Sequence, residues 1–260
     1  MDVKGKVAVV TGSGSSAGIG RSTALRLARL GARGVVVNHA RDSSRGKAKL
    51  VAKEVEQAGS EALVVQADVS DDGAVRDMMA AAHETFGRLD ILVNNAATTV
   101  RVRFEDLDGL TEDVWERNLG VNLKGTFYCI RAARPFMDEA GDGAVVNVSS
   151  IAGIRAVGSS SIAYGAAKAG VINMTMFLAR ALSPTIRVNC VTAGFVKGQW
   201  MEESLGGERY EKALARTAER IPRGRVADPD DVAHAIVSLV ESDFVTGHNL
   251  VCDGGFLIRD

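Results

Sequence analysis

Short β-branched runs alternate along the chain with longer stretches in which apolar residues recur at helical spacing. The strand-like runs are Val7 to Val10, Val35 to Val37, Leu63 to Val65, Ile91 to Val93, Ala144 to Val148, Ile186 to Val191 and Leu250 to Val251. Helical stretches lie between them, from about Gly18 to Leu30, Arg45 to Ala58, Gly73 to Phe86, Val114 to Met137, Ala163 to Leu182 and Asp230 to Val240. Strands that are nearly all apolar belong in a parallel sheet covered on both faces. Right-handed crossovers then predict a doubly wound α/β fold with seven parallel strands and helices on both faces. No repeat, low-complexity tract or Pro/Ser-rich linker interrupts the pattern, so residues 1–260 read as a single domain.

Two connections break the alternation. One is polar, between Thr98 and Thr111. The other, between Gly194 and Pro229, holds helical stretches around Met201 to Leu205 and Glu208 to Glu219. Both follow strands directly, and ligands of open α/β sheets bind beyond the carboxyl ends of strands. The second, about residues 195–225, is therefore a candidate substrate lid. Trp200, Met201 and Leu205 in it either line an apolar pocket or simply pack.

Charge removes some classes of function. Lys plus Arg number 31 against 32 Asp plus Glu, a net charge of −1 that announces neither nucleic acid nor anionic lipid as a partner. The start lacks the apolar core of a secretory signal, and no apolar run is expected to approach the ~20 residues of a membrane span, so a cytoplasmic location is expected. Cys129, Cys190 and Cys252 read as small core residues. The four histidines show no metal-ligand spacing, so no metal is expected.

Two segments carry candidate chemistry. Lys6-Val-Ala-Val-Val-Thr-Gly-Ser-Gly-Ser-Ser-Ala-Gly-Ile-Gly-Arg is a strand running through a glycine-rich turn into a helix. In that context glycines let the backbone approach a pyrophosphate, whose charge meets the helix N-terminus. Tyr164 and Lys168 stand four apart on a predicted helix and project from one face. A nearby ammonium favours the phenolate, so Lys168 is expected to lower the Tyr164 pKa and make it a general acid/base.

With these motifs the chain resembles the short-chain dehydrogenase/reductase family, whose glycine motif is Thr-Gly-x-x-x-Gly-x-Gly. The match covers nearly the whole length. Asp68 in Ala-Asp-Val-Ser matches the acidic residue beside the adenine; Asn94-Asn-Ala-Ala matches Asn-Asn-Ala-Gly; Asn122 matches the catalytic asparagine; Ser150 matches the serine of the Ser-Tyr-Lys triad. Ser149 remains a minor alternative to Ser150. The resemblance implies a Rossmann fold, the catalytic set Asn122, Ser150, Tyr164 and Lys168, and an oxidoreductase interconverting a ketone and a secondary alcohol. Within the family the chain looks most like 3-oxoacyl-thioester (acyl-carrier-protein) reductases. Lys168 is implied to bind the nicotinamide ribose, and Asn122 to hold a water linking Lys168 to solvent. Cofactor contacts are expected from Gly12, Gly14, Gly18, Ile19, Gly20, Asn38, His39, Arg41, Asp68, Val69, Asn95, Ala96, Tyr164, Lys168, Gly194 and Val196.

The chain also departs from the family. Counted from Thr11-Gly12, the glycine loop is two residues longer than usual, and either Gly12 or Gly14 takes the first glycine's role. At the end of the second strand an acid would bind a ribose 2′-OH. Here Asn38 and His39 stand in its place, followed by Arg41, Ser43 and Ser44, which favours NADP(H) over NAD(H). Ala17 replaces a basic residue common in NADP-using relatives. After the sixth strand, Ala193 and Gly198 replace the usual proline and threonine. Arg101, Arg103, Arg131 and Arg134 supply an acyl-carrier docking patch if the fold gathers them. Relatives imply a homotetramer. The competing reading is a catalytically silent NADP(H)-binding regulatory or structural subunit.

Overall fold

The computed structural model describes residues 1–157, 160–198, 202 and 207–259. Seven parallel strands form one sheet in the order β3-β2-β1-β4-β5-β6-β7: β1 Val7–Val10, β2 Gly34–His39, β3 Glu61–Gln66, β4 Ile91–Asn94, β5 Gly143–Ser150, β6 Ile186–Ala193 and β7 Asn249–Cys252. The helices are α1 Ile19–Arg29, α2 Arg45–Gln57, α3 Asp72–Phe86, α4 Glu112–Leu119, α5 Gly125–Ala140, α6 Ile162–Leu182, α7 Gly207–Ala218 and α8 Pro229–Glu241. The predicted doubly wound fold and its strand count are thus observed.

Side-chain alternation sends successive strand residues to opposite faces, and two cores result. Ala8, Val10, Val35, Val37, Ile91 and Val93 pack with Leu27, Val51, Val55 and Ile236 from α1, α2 and α8. Val7, Val9, Val36 and Leu92 pack on the other side with Met78, Met79, Phe86, Ile130 and Met137 from α3 and α5. β1, β2 and β4 are buried throughout, as their unbroken apolar sequences require, while the edge strand β3 is only half buried. A third cluster, Ile151, Ile221, Val226 and Phe256 with Leu214 of α7, ties the segment after β6 to the turn after β5.

Two expectations are corrected. The stretch Val114 to Met137 is not one uniform helix: a wider π-type turn at Gly120–Lys124 separates α4 from α5. Such bulges insert a residue into the helical ladder and re-aim side chains, and here the inserted turn holds Asn122. α6, at 21 residues and a hydropathy of 1.2, is long and apolar enough by length and composition to cross a membrane. Its buried face instead carries Tyr164, Lys168 and Thr175 against the sheet. Trp200, Met201 and Leu205 lie outside the described residues.

Candidate active site

β1 has β2 on one side and β4 on the other, so the connections leaving its neighbours diverge and open a crevice beyond their carboxyl ends. The crevice holds about 770 Å³. Its floor is the glycine loop. Gly12 has φ +65, and a Cβ there would stand 2.8 Å from the Ala96 Cα. A Cβ on Gly20 would come within 2.5 Å of the Asn95 amide nitrogen and 2.9 Å of the Gly12 carbonyl. Asn95 Nδ2 donates to the Thr11 carbonyl at 2.9 Å, and Thr11 Oγ1 accepts from the Asn95 and Ala96 amides at 3.0 Å each. α1 starts at Gly18 with no side-chain cap and no acid in its first turn. Its first N–H groups and dipole are therefore left to an anion, and this cradle fits a dinucleotide pyrophosphate.

Gly12 and Gly14 both line the crevice but differ in their surroundings. Gly12 is the exposed, left-handed residue facing Ala96 in the crevice, whereas buried Gly14 packs against His39 and Ala48 on the far side of the loop. Ser13 Oγ donates to the Val10 carbonyl at 2.7 Å, so the additional residues fold inward and leave the cradle open.

At the end of β2 the expectation changes. Asn38 is 2% exposed. Its Oδ1 accepts from the Gly12 amide at 2.9 Å, and its Nδ2 donates to the Ala67 carbonyl at 3.0 Å. His39 is also buried, with Nδ1 3.0 Å from the Arg41 carbonyl. Both side chains stand at the crevice wall but are almost wholly buried and hydrogen-bonded within the protein. Accessible chemistry passes to Arg41, Ser43 and Ser44, and to Lys47 in the first turn of α2, all lining the crevice. Arg21 is held by Glu54 at 2.7 Å and Arg45 faces Asp42 at 4.0 Å; Arg41 and Lys47 make no ion pair among the described residues. Lys47 is a residue that the motifs do not single out. A cation at a helix start opposes the helix dipole, and that local mismatch is the signal that marks it.

At the reacting end, β5 and α6 present the triad. Ser161 caps α6, accepting from the Tyr164 amide at 3.3 Å and fixing the first turn that carries the phenol. Ser150 ends β5, accepts from the Ala152 amide at 3.2 Å and lies near enough to the Tyr164 phenol to lower its pKa. Lys168 is buried one helical turn on, its Nζ donating to the Val148 carbonyl at 2.9 Å and lying 5.8 Å from the Tyr164 ring centroid. Burial pushes the Tyr164 phenol up to about 12, against a lowering contribution from Ser150. Burial also pulls the Lys168 ammonium down to about 8. The expected acidification of Tyr164 by Lys168 is therefore outweighed by burial, and Lys168 is not among the causes of the shift. Low-dielectric surroundings favour the neutral form of both groups, and the ammonium is engaged by a carbonyl.

Asn122 does not line the crevice. Its Nδ2 donates to the Thr98 and Asn118 carbonyls, each at 2.8 Å, and its Oδ1 accepts from the Thr98 amide at 3.3 Å. The amide fastens the π-type turn to the segment after β4, engaging both Nδ2 hydrogens and one acceptor position of Oδ1. Every other expected contact lines the crevice: Gly12, Gly14, Gly18, Ile19, Gly20, Asn38, His39, Arg41, Asp68, Val69, Asn95, Ala96, Ser150, Tyr164, Lys168, Gly194 and Val196. Asp68 accepts from the Ser70 amide and hydroxyl at 3.0 and 2.7 Å. Gly194 sits where a Cβ would be 2.7 Å from the Asp253 Cα, and Val196 is bridged to Ala227.

Of the four arginines that either form a docking patch or are ordinary surface charges, three are paired with carboxylates. Arg131 pairs with Asp72 at 2.6 Å, Arg134 with Asp138 at 3.2 Å and Arg103 with Glu105 at 3.5 Å. Arg101 alone of the four lines the crevice, where Arg117 of α4 joins it.

A cradle fit for a dinucleotide that leads to buried Tyr164 and Lys168 and half-buried Ser150 suits a nicotinamide-dependent oxidoreductase of the doubly wound class. Residues 12–257 match the family profile described as enoyl-(acyl carrier protein) reductase. The chain is 41% identical over 249 residues, covering 96% of it and 95% of the relative, to a Streptomyces violaceoruber protein whose name provisionally makes it ketoacyl reductase 2 of the granaticin polyketide synthase. It is 39% identical over 254 residues, 96% of the chain and 97% of the relative, to the 3-oxoacyl-[acyl-carrier-protein] reductase FabG of Staphylococcus aureus. The solved structure of a provisionally assigned short-chain dehydrogenase/reductase from Burkholderia xenovorans superposes with a TM-score of 0.89 at 34% identity, over 97% of this chain and 98% of that one. The chain belongs to the short-chain dehydrogenase/reductase family, enzymes acting on CH–OH or keto groups.

Proposed function

We propose that the protein is an NADP(H)-dependent reductase of ketones, and in reverse a dehydrogenase of the matching secondary alcohols, with 3-oxoacyl thioesters as its substrate class. The observation that carries this is that Ser150 at the end of β5 and Tyr164 in the first turn of α6 line the same crevice, with Ser150 near enough to lower the Tyr164 pKa. A carbonyl oxygen placed between them receives a hydrogen bond from Ser150 and the proton of Tyr164 as charge develops on it. Two donors converging on one oxygen suit a ketone better than the carbon–carbon double bond of an enoyl thioester.

Bound in the cradle, the nicotinamide would supply or accept the hydride. Gly12, Gly18 and Gly20 and the start of α1 would hold the pyrophosphate, Asp68 and Val69 the adenine, and Gly194 and Val196 the carboxamide end. Lys168 would hold the nicotinamide ribose and restore the proton to Tyr164. Arg41 and Lys47 support the preference for NADP(H), because both cations stand exposed beside the hydroxyls of Ser43 and Ser44. The FabG relative supports the thioester substrate by name. The same reading includes a homotetramer, supported by exposed Phe127 on α5 and by Met176 and Phe177, 50% and 69% exposed, on α6.

The test is turnover of acetoacetyl thioester against crotonyl thioester with NADPH and NADH. Oxidation of NADPH by the keto substrate alone is the expected result. Reduction of the enoyl substrate alone would replace the ketone reading. Tight NADPH binding without turnover on any ketone would point to a regulatory subunit.

A further inference from the structure

We infer that Asn38 is a positioning residue that anchors the lengthened glycine loop to β2, and that its side chain takes no part in choosing between the two dinucleotides. The inference rests on the reading of the crevice as a dinucleotide site. Its content is separate: where the loop is held, and which residues are thereby relieved of ribose recognition.

Three hydrogen bonds join Asn38 to the loop. The Gly12 amide donates to its Oδ1 at 2.9 Å, the Gly14 amide donates to its carbonyl at 2.9 Å, and its own amide donates to Ser13 Oγ at 3.2 Å. A further bond from Nδ2 to the Ala67 carbonyl at 3.0 Å ties the assembly to the end of β3. Ser13 is fully buried and spans the gap, donating to Val10 while accepting from Asn38. Gly14 is the only residue type that fits its place, since a Cβ would lie 2.9 Å from the Cβ atoms of both His39 and Ala48 and 3.1 Å from the Asn38 carbonyl. The two additional residues therefore form a plug between β2 and α2, and Asn38 is its socket.

The chemistry demands an amide at this position. One side-chain atom must accept from Gly12 and the other must donate to Ala67. An aspartate would satisfy the first and set a carboxylate oxygen against the Ala67 carbonyl, two acceptors facing each other in a buried site. Asparagine in place of an acid here thus follows from the loop's packing, and selectivity falls to the exposed cations further along.

The experiment titrates the full-length protein and the variants Asn38→Asp, Asn38→Ala and Ser13→Ala with NADPH and with NADH, followed by cofactor KM and kcat. Asn38→Asp is expected to weaken both dinucleotides by about tenfold or more, as the loss of a buried hydrogen bond predicts, with their affinity ratio preserved within about twofold. Cofactor KM rises by a larger factor than kcat falls, and Ser13→Ala moves both affinities in the same direction by less. Tighter NADH with weaker NADPH in Asn38→Asp would place the side chain at the ribose and overturn the inference. So would unchanged affinities with a reduced active fraction, the mark of a merely structural residue. If Asn38→Asp does not fold, Ser13→Ala decides on the same criterion, because it removes one anchor without adding charge. Failure of the unaltered protein to bind either dinucleotide would instead reject the cofactor reading and this inference with it.

Discussion

Ser149 Oγ donates to the Lys168 carbonyl at 2.9 Å, so one of the two adjacent serines is bound to the backbone of the helix that carries Tyr164. That leaves the Ser150 hydroxyl, which accepts from the Ala152 amide at 3.2 Å and lowers the Tyr164 pKa, as the serine we assign to Tyr164. Ser150→Ala is expected to lower kcat for ketone reduction by about 10²-fold, the usual cost of losing one donor to a developing oxyanion. Ser149→Ala is expected to reduce stability by about 1 kcal/mol, in the range of one buried hydrogen bond, with a far smaller effect on kcat. Steady-state kinetics and urea unfolding of both variants check the pair; equal kinetic losses would sink the assignment.

Tyr164, with its phenol raised to about 12, is neutral throughout the physiological range. A neutral phenol is the acid that reduction needs, whereas oxidation of an alcohol needs the phenolate. The expected outcome is a reductive kcat/KM that holds steady from about pH 6 to pH 8 and an oxidative kcat/KM that climbs with pH beyond that window. Tyr164→Phe should lower both by about 10²-fold or more while NADPH still binds. A level oxidative profile would show that another group, or a strongly acidified Tyr164, takes the proton.

Lys168 makes stability depend on pH in a direction that can be derived. Its folded pKa, about 8, is depressed from 10.5, so between those values the unfolded chain binds more protons than the folded one. Stability therefore rises with pH across that window, and the gain is lost as pH falls through 8. Tyr164 acts oppositely at higher pH: its folded pKa of about 12 exceeds the reference 10, so its contribution disappears as pH rises from 10 to 12. Urea midpoints between pH 7.5 and 9.5 should climb in the parent protein. They should climb less in Lys168→Met, and identical slopes would contradict the burial of this ammonium.

Arg41 and Lys47 should discriminate between the two cofactors. Removing either cation by Arg41→Ala or Lys47→Ala is expected to weaken NADPH by about tenfold, the size of a charge-assisted contact, with much less effect on NADH. Fluorescence titration reads both constants. Equal movement of the two would refute the 2′-phosphate assignment.

The fold is legible in the chain because its signal is local and redundant: unbroken runs such as Val7 to Val10 and Val35 to Val37 demand cover on both faces, and β1 and β2 receive it. The order of motifs places Ser150, Tyr164 and Lys168 in one crevice for the same reason, since Ser150 ends a strand and Tyr164 and Lys168 stand in the first two turns of α6. Side-chain commitments are not legible. Asn38 and Asn122 carry the right chemistry at the right positions, yet their amides are engaged by Gly12 and Ala67 in one case and by Thr98 and Asn118 in the other. Those partners are distant in sequence or depend on the π-type turn, so periodicity does not reveal them. The Tyr164 pKa escapes the sequence for a related reason: spacing shows a lysine nearby but not how deeply both groups are buried.

Two glycine substitutions separate a cradle constraint from an ordinary helix. A Cβ at Gly20 would lie 2.5 Å from Asn95 Nδ2 and 2.9 Å from both the Gly12 carbonyl and the Ser13 Cα, so two of its three neighbours are backbone that cannot swing aside. Gly20→Ala must push the loop away from Asn95, which now donates to the Thr11 and Gly12 carbonyls at 2.9 and 3.3 Å. A lower melting temperature and dinucleotide binding weakened by about tenfold or more are expected, the combined cost of overpacking and lost hydrogen bonds. Gly46, in the first turn of α2, has open space where a methyl group would stand, with nothing within 4 Å, and no left-handed φ. Gly46→Ala should therefore raise stability by about 0.5–1 kcal/mol, the helix-propensity difference, and leave cofactor affinity as it was. Thermal unfolding with and without NADPH measures both variants, and a harmless Gly20→Ala would mean that the loop does not pack against Asn95 as described.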